Sequence, residues 1–244
     1  MFLQRKENIL KLSSENSKHD LKATKYISTI LCSSLFQGID QEDVQHLLTC
    51  LDMYLEQYHK KDIILFTGDP IKRFGLILTG QVRVLREDTK GNQNIITELG
   101  SLDLYAEVFC CAGVPFSPVT VEAKEETVLL SIDYASIIKP CTKSCGYHNR
   151  FITNMLGIIA EKTLVLNRRV EILSRRTTRE KILCYLEGFQ ETEQDFKIPF
   201  NREELASYLC VDRSALSAEL SRMRRDGLLT FYKNKFRLIH QNNL

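Results

Sequence analysis

The sequence predicts an α+β fold in two domains: a β sandwich or jelly-roll barrel, then a long amphipathic helix, then a C-terminal winged helix-turn-helix. Three observations predict it. Short β-rich runs punctuated by turn residues fill the stretch from Tyr54 to Ile132. An apolar heptad runs from Ile152 to Leu173. Near the end of the chain, two capped helical segments separated only by Cys210-Val211 precede a basic hairpin.

The bulk properties permit this division. A chain of 244 residues is long for one ordinary domain and comfortable for two of about 100 to 150 residues each. An apolar fraction of 43% with 26% charged residues suits a folded protein with a real core. The net charge of +2 is too small to announce a polyanion binder, so any such reading rests on where the basic residues sit. Residues 1–25 read as a polar lead-in to which no chemistry is assigned. Their Arg5, Lys6, Lys11 and Lys18 interrupt any apolar stretch, which argues against a signal peptide or membrane span and for a cytoplasmic address. Eight irregularly spaced cysteines without a C-x-x-C repeat are expected to be reduced thiols, mostly packing residues.

Along the chain, the acids Asp40, Glu42 and Asp43 mark a helix start, and Val44, Leu47, Leu48 and Leu51 give it one apolar face. Strands are expected at Ile63 to Phe66, Leu76 to Leu78, Val82 to Leu85, Ile95 to Leu99 and Val128 to Ile132. Turns at Gly68-Asp69-Pro70, Gly80, Lys90-Gly91-Asn92 and Gly100 separate them. This β-rich domain spans residues 26–140.

Helical texture returns after Pro140. Ile152, Leu156, Ile159, Thr163, Leu166, Val170 and Leu173 alternate steps of four and three, the seam of a two-stranded coiled coil. Residues 141–176 are therefore read as a dimerisation helix and hinge. A new helix begins at the capping pair Thr177 and Glu180, opening a domain over 177–244.

In that domain Asn201 and Glu204 form a second capping signature, and Asp212 caps a helix running to Arg225 that Gly227 stops. Leu216, Leu220 and Met223 make its apolar stripe. Ser214, Ser217, Ala218, Ser221 and Arg225 share the opposite side, where small side chains let a helix enter a DNA major groove. Arg213 can reach a guanine edge, and Arg222, Arg224 and Arg225 can meet phosphates. Lys233-Asn234 turns a basic hairpin suited to a wing, and Arg202 and Lys233 join the DNA-facing set. Each piece alone fits a solvated charged face or a plain helical bundle. Their conjunction points to double-stranded DNA.

The stretches Phe66-Thr67-Gly68-Asp69-Pro70, Leu76-Ile77-Leu78-Thr79-Gly80-Gln81-Val82 and Arg202-Glu203-Glu204-Leu205-Ala206, running on to Arg213, resemble the Crp/Fnr family of regulators from about Ile27 to Ile239. The resemblance implies a bacterial transcription factor with a cyclic-nucleotide-binding-type jelly-roll barrel that senses an effector. It also implies a homodimer, a palindromic operator near promoters and RNA polymerase as a partner, with no membrane. The family's nucleotide-binding Gly-Glu and Arg-Ser pairs fall on Ala106-Glu107 and on the neighbourhood of Ser117-Pro118, so the phosphate-neutralising arginine is missing. Tyr105, Phe109, Val114 and Phe116 surround these positions with apolar and aromatic groups. Tyr105, Glu107, Phe109, Phe116, Ser117 and Asn167 are accordingly the expected effector contacts, for a small molecule other than cyclic AMP. The family's base-reading positions map to Arg213, Ser214 and Ala218, and only the first keeps a long donor.

A different trigger stands as the alternative. Cys141, Cys145 and His148, at i, i+4 and i+7, would share one helical face and offer thiolate and imidazole to a metal, haem or oxidant, with Cys110-Cys111 a conceivable source of a fourth ligand. The plainer reading is three packing residues, and no cofactor is assigned. An enzyme is not expected, because the chain carries no P-loop, no H-E-x-x-H and no G-x-S-x-G.

Overall fold

The computed structural model describes residues 9–11, 25–87, 93–139, 145–189 and 195–239. In chain order these comprise β1 (Ile9–Lys11), α1 (25–31), a 3-10 turn (Ser34–Phe36), α2 (Gln41–Cys50), β2 (Tyr54–Tyr58), β3 (Ile63–Leu65), β4 (Arg73–Thr79), β5 (Val82–Glu87), β6 (Gln93–Leu99) and β7 (Leu104–Tyr105). There follow α3 (Glu107–Cys111), β8 (Thr120–Ala123), β9 (Thr127–Asp133), α4 (Tyr134–Ile138), α5 (Gly146–Ser174), α6 (Thr178–Glu187), β10 (Phe196–Lys197), α7 (Arg202–Leu209), α8 (Arg213–Arg225), β11 (Leu229–Tyr232) and β12 (Lys235–Leu238). The chain divides into two compact units, Met1–Ala160 and Glu161–Leu244.

The first unit is built from two antiparallel sheets, ordered β1-β2-β9-β4-β7 and β3-β8-β5-β6. In β4 the consecutive residues Phe74 to Leu78 are all buried, and in β9 so are Leu129 to Ile132. A strand whose neighbouring side chains point to opposite faces can bury them all only if both faces are covered. Val82, Val121 and Ala123 of the second sheet share a core with Ile30, Leu35, Val44, Leu47, Phe151 and Met155 from the helical segments, which supplies the two layers. Glycine is required where the layers close tightly. A Cβ on Gly80, which has φ of 87°, would lie 2.4 Å from the Glu126 carbonyl oxygen.

The sequence reading anticipates most of the strands, the three-residue β3 among them, and misses several others. β7 and β10, with two residues each, are too brief for a periodicity to register, and the four-residue β8 is not singled out. β1 lies inside the stretch read as a polar lead-in and pairs with β2. The helix expected after Pro140 is described from Gly146 onward, and residues 140–144, Cys141 among them, lie outside the described residues.

The second unit packs α6, α7, α8 and the sheet β10-β12-β11 around Ile182, Leu186, Leu205, Leu209, Leu216, Leu220, Met223 and Phe236. Ile172, near the end of α5, is buried in the same core. Both capping boxes are present. Thr177 accepts from the Glu180 amide while Glu180 accepts from that of Thr177, and Asn201 and Glu204 repeat the exchange. Arg168 and Arg175 pair with Glu171 at 2.7 and 2.9 Å, and Arg168 also donates to the Cys184 carbonyl, so the last turns of α5 are tied to α6.

In the first unit one arginine gathers the turn before β2 and the edge of β9. Arg73 pairs with the Asp52 carboxylate at 2.9 Å and donates to the Asp52 carbonyl. It also donates to Ser131 Oγ and the Ser131 carbonyl at 3.0 and 3.1 Å and lies 4.2 Å from the Tyr54 ring centre. Asp52 adopts a left-handed φ of 43°, a conformation that needs such external support. Because Asp52 is largely exposed, its ion pair adds little, and the half-buried carbonyl and hydroxyl acceptors carry most of the effect. Arg73→Ala should destabilise the chain by about 2 kcal/mol, read as a lower urea midpoint by circular dichroism. An unchanged midpoint would remove the anchoring role.

Candidate nucleic-acid interface and sensor site

The helix-turn-helix arises from local rules. α7 ends at Cys210, which takes the left-handed φ of 51° that terminates helices, and Asp212 returns to extended backbone as the N-cap of α8. One face of α8 is wholly inside, with Leu216, Leu220 and Met223 at 0% exposure. On the other, Arg213, Ser214, Ser217, Ala218, Arg222 and Arg225 are exposed, and Ser221 is half-buried with its hydroxyl donating to the Ser217 carbonyl at 2.9 Å. The structure thus brings these predicted residues onto one bare surface of a single helix. Lys233 is exposed at the tip of the β11–β12 hairpin. Arg202 is half-buried and donates to the Lys233 carbonyl at 3.1 Å.

Sequence reasoning missed what holds this helix laterally. Arg179, in the first turn of α6, reaches Glu219 at 2.6 Å and Asp226 at 2.7 Å, and Arg222 approaches Glu219 at 3.4 Å. Glu219 is nearly buried, so its carboxylate needs these cations. The pairs join residues 40 and 47 positions apart, beyond any local motif.

The expected effector residues are placed in several environments. Ala106 takes a left-handed φ of 62° and leads into α3, whose first residue, Glu107, is 3% exposed. Tyr105 lays its ring on Gly75, where a Cβ would meet the ring at 2.0 Å. Burial, then the nearby Glu56 carboxylate, keeps its hydroxyl protonated well above the usual tyrosine range. Phe109 packs half-buried against the same core. Ser117 is buried, and its hydroxyl donates to the Val119 carbonyl at 2.6 Å while accepting from the Val119 amide at 3.3 Å. Its backbone is paired with the opposite loop, through Gly68 N–H to Ser117 O and Ser117 N–H to Asp69 O, both 2.8 Å. Phe116 turns outward at 60% exposure, and Asn167 is exposed on α5.

Of the thiol and imidazole candidates, Cys145 and His148 are described and Cys141 lies outside the described residues. His148 is buried with Nε2 at 3.0 Å from the Ile137 carbonyl, so that nitrogen is occupied as a donor. Cys145 precedes α5. Among the described residues no three His, Cys, Asp or Glu side chains are grouped to hold a metal. Burial pushes the Cys110 thiol up to about 12 and raises Cys111 as well, the direction opposite to thiolate reactivity.

Along α5, Phe151 and Met155 are buried in the first unit and Ile152 and Ile159 pack partly against it. Leu156, Leu166 and Val170 stand 58 to 61% exposed in the single chain, with Thr163 also exposed and Leu173 half-buried. Leu164 and Val165 are bare as well, at 69% and 63%.

Comparison with known proteins bears on both units. The family model of the cyclic nucleotide-binding domain matches residues 55–143, and that of the Crp-like helix-turn-helix domain matches residues 180–244. Among solved structures, the catabolite activator protein of Thermus thermophilus is similar at 20% identity over 85% of this chain and 94% of that one, with a TM-score of 0.49. DNR from Pseudomonas aeruginosa is similar at 14% identity over 88% and 93%, with a TM-score of 0.48. The c-di-GMP responsive regulator CLP of Xanthomonas campestris is similar at 17% identity over 83% and 100%, with a TM-score of 0.48. A search of curated proteins returns no match. With a cyclic nucleotide-binding domain ahead of a Crp-like helix-turn-helix, this chain belongs to the Crp/Fnr family of DNA-binding transcription regulators.

Proposed function

We propose that this regulator works as a homodimer that reads a palindromic operator and answers to a small, neutral or weakly polar effector other than cyclic AMP. The observation that carries the DNA reading is the division of α8 into a face at zero exposure and a bare face of small and basic residues. In this reading Arg213, Ser214, Ser217 and Ala218 face base edges, and Ser221, Arg222, Arg225 and Lys233 meet the backbone. RNA polymerase is the partner at promoters. Residues 26–140 sense, 141–176 dimerise and 177–244 bind DNA. No described helix is long and apolar enough to cross a membrane.

The dimer is supported by the exposed Leu156, Leu166 and Val170, which cost solvation free energy until a second copy covers them. Parallel pairing sets the two recognition helices about one DNA turn, roughly 34 Å, apart. Leu166→Glu should give monomers in analytical ultracentrifugation and abolish operator binding. A wild type that sediments as a monomer at micromolar concentration would defeat the proposal.

For base reading, Arg213→Ala should cost about 1 to 3 kcal/mol and relax specificity at one position of each half-site. Arg225→Ala should weaken all duplexes alike. Equal, sequence-independent losses from the two variants, measured on a panel of single-base operator variants, would refute the roles assigned.

The effector reading rests on the loop that ends at Ser117. A buried phosphodiester needs a cation, best a guanidinium with two parallel hydrogen bonds. No arginine or lysine lies between Gly113 and Ala123, and the Ser117 hydroxyl is already committed to Val119. Cyclic AMP and cyclic GMP should therefore bind no tighter than about 1 mM and leave DNA affinity unchanged. Calorimetry with each nucleotide tests this, and a micromolar dissociation constant for either would overturn it.

A further inference from the structure

We propose that Arg202 is a positioning residue that sets the wing for DNA, and that its guanidinium is not itself a phosphate contact. The proposal rests on the DNA-binding role of the second unit. Arg202 opens α7, where a cation meets the positive end of the helix dipole and gains nothing from it. What it gains lies across the domain, in the hairpin. Its guanidinium carbon sits 5.0 Å from the ring centre of Phe231 and 5.6 Å from that of Phe236, and Nη2 donates to the Lys233 carbonyl at 3.1 Å. Among the described residues it makes no ion pair, so its polar contact is this carbonyl. Arg224 of the recognition helix lies over the same Phe231 ring at 5.1 Å. A wing ring is thus shared by guanidinium groups from both helices of the helix-turn-helix.

The part held in this way is under strain. Lys233 adopts a left-handed φ of 54°, unusual for a side chain of its size, at the turn of the hairpin. Its carbonyl is fixed by Arg202. The next residue, Asn234, is fixed from the other side, donating to the Ile198 carbonyl at 3.2 Å and accepting from the Ile198 amide at 3.0 Å. Beyond these ties stand Tyr232, 71% exposed, and Lys233, whose ammonium lies 5.6 Å over the Tyr232 ring. Those two side chains are presented outward, as Lys235 is. A flat, delocalised cation can stack on a ring and hold a carbonyl in one plane, and a lysine ammonium cannot reproduce that geometry.

The test is a double-mutant cycle on the full chain, using the duplex that wild-type protein selects from a random library and fluorescence anisotropy over a salt series. Lys233→Ala should weaken binding about tenfold and reduce the slope of log K against log salt by about 0.9 per protomer, as loss of one phosphate contact does. Arg202→Ala should reproduce that loss in fold-change and in slope, and the double variant should bind no more weakly than either single one. Arg202→Lys, which keeps the charge, should behave as Arg202→Ala does. Wild-type affinity in Arg202→Lys, or losses that multiply in the double variant, would overturn the positioning role. An unchanged slope in Lys233→Ala would overturn the wing contact itself, and failure of the wild type to select any duplex would overturn the DNA reading beneath both.

Discussion

Burial on both faces of β4 and β9 is the constraint on which the first unit depends. Two neighbouring strands with no polar face cannot exist at a surface, so one side must meet a second sheet and the other must meet helices. That requirement places the helical segments around Ile30, Val44 and Phe151 in the same core as Val82 and Val121. The start of α5 is anchored by the same demand, through Phe151 and Met155. Arg73 seals the edge of this arrangement, where the chain reverses at Asp52. The loops carrying Gly68 and Ser117 pair with each other on this base through backbone hydrogen bonds.

The second unit answers a different demand. A helix that is to be read from outside has to be gripped from inside. Leu216, Leu220 and Met223 supply the grip toward the core, and Arg179 supplies it sideways by holding Glu219 and Asp226. The end of α5 and the start of α6 belong to the same framework, since Arg168 and Arg175 converge on Glu171 and Thr177 caps α6.

Local chemistry was what the sequence could convey. The capping pairs Thr177–Glu180 and Asn201–Glu204, the apolar runs of β4 and β9 and the stripe of α8 all act within a few residues, so each left a pattern. Two-residue strands leave none. The Arg179 pairs and the Arg202 contact with the wing depend on tertiary approach across tens of residues, and composition does not encode it. The same limit explains the sensor residues. Tyr105 and Phe116 read alike as aromatic lining, yet one ring lies on Gly75 and the other faces outward, a difference set by which loop pairs with which. The spacing leaves His148 open between a packing residue and an alternative ligand, and only the fold shows its buried Nε2 donating to the Ile137 carbonyl.

The separation of duties on α8 bears on how such a regulator diverges. The residues that keep the helix in place are Leu216, Leu220, Met223 and Glu219, and none belongs to the exposed set of Ser214, Ser217 and Ala218. Exposed replacements of this kind usually change stability by less than about 0.5 kcal/mol. Lineages of this protein can therefore exchange the groups at those three positions almost without a folding penalty. With these positions facing base edges, as proposed, target promoters would be gained and lost by drift on one helix face while the scaffold stays under purifying selection.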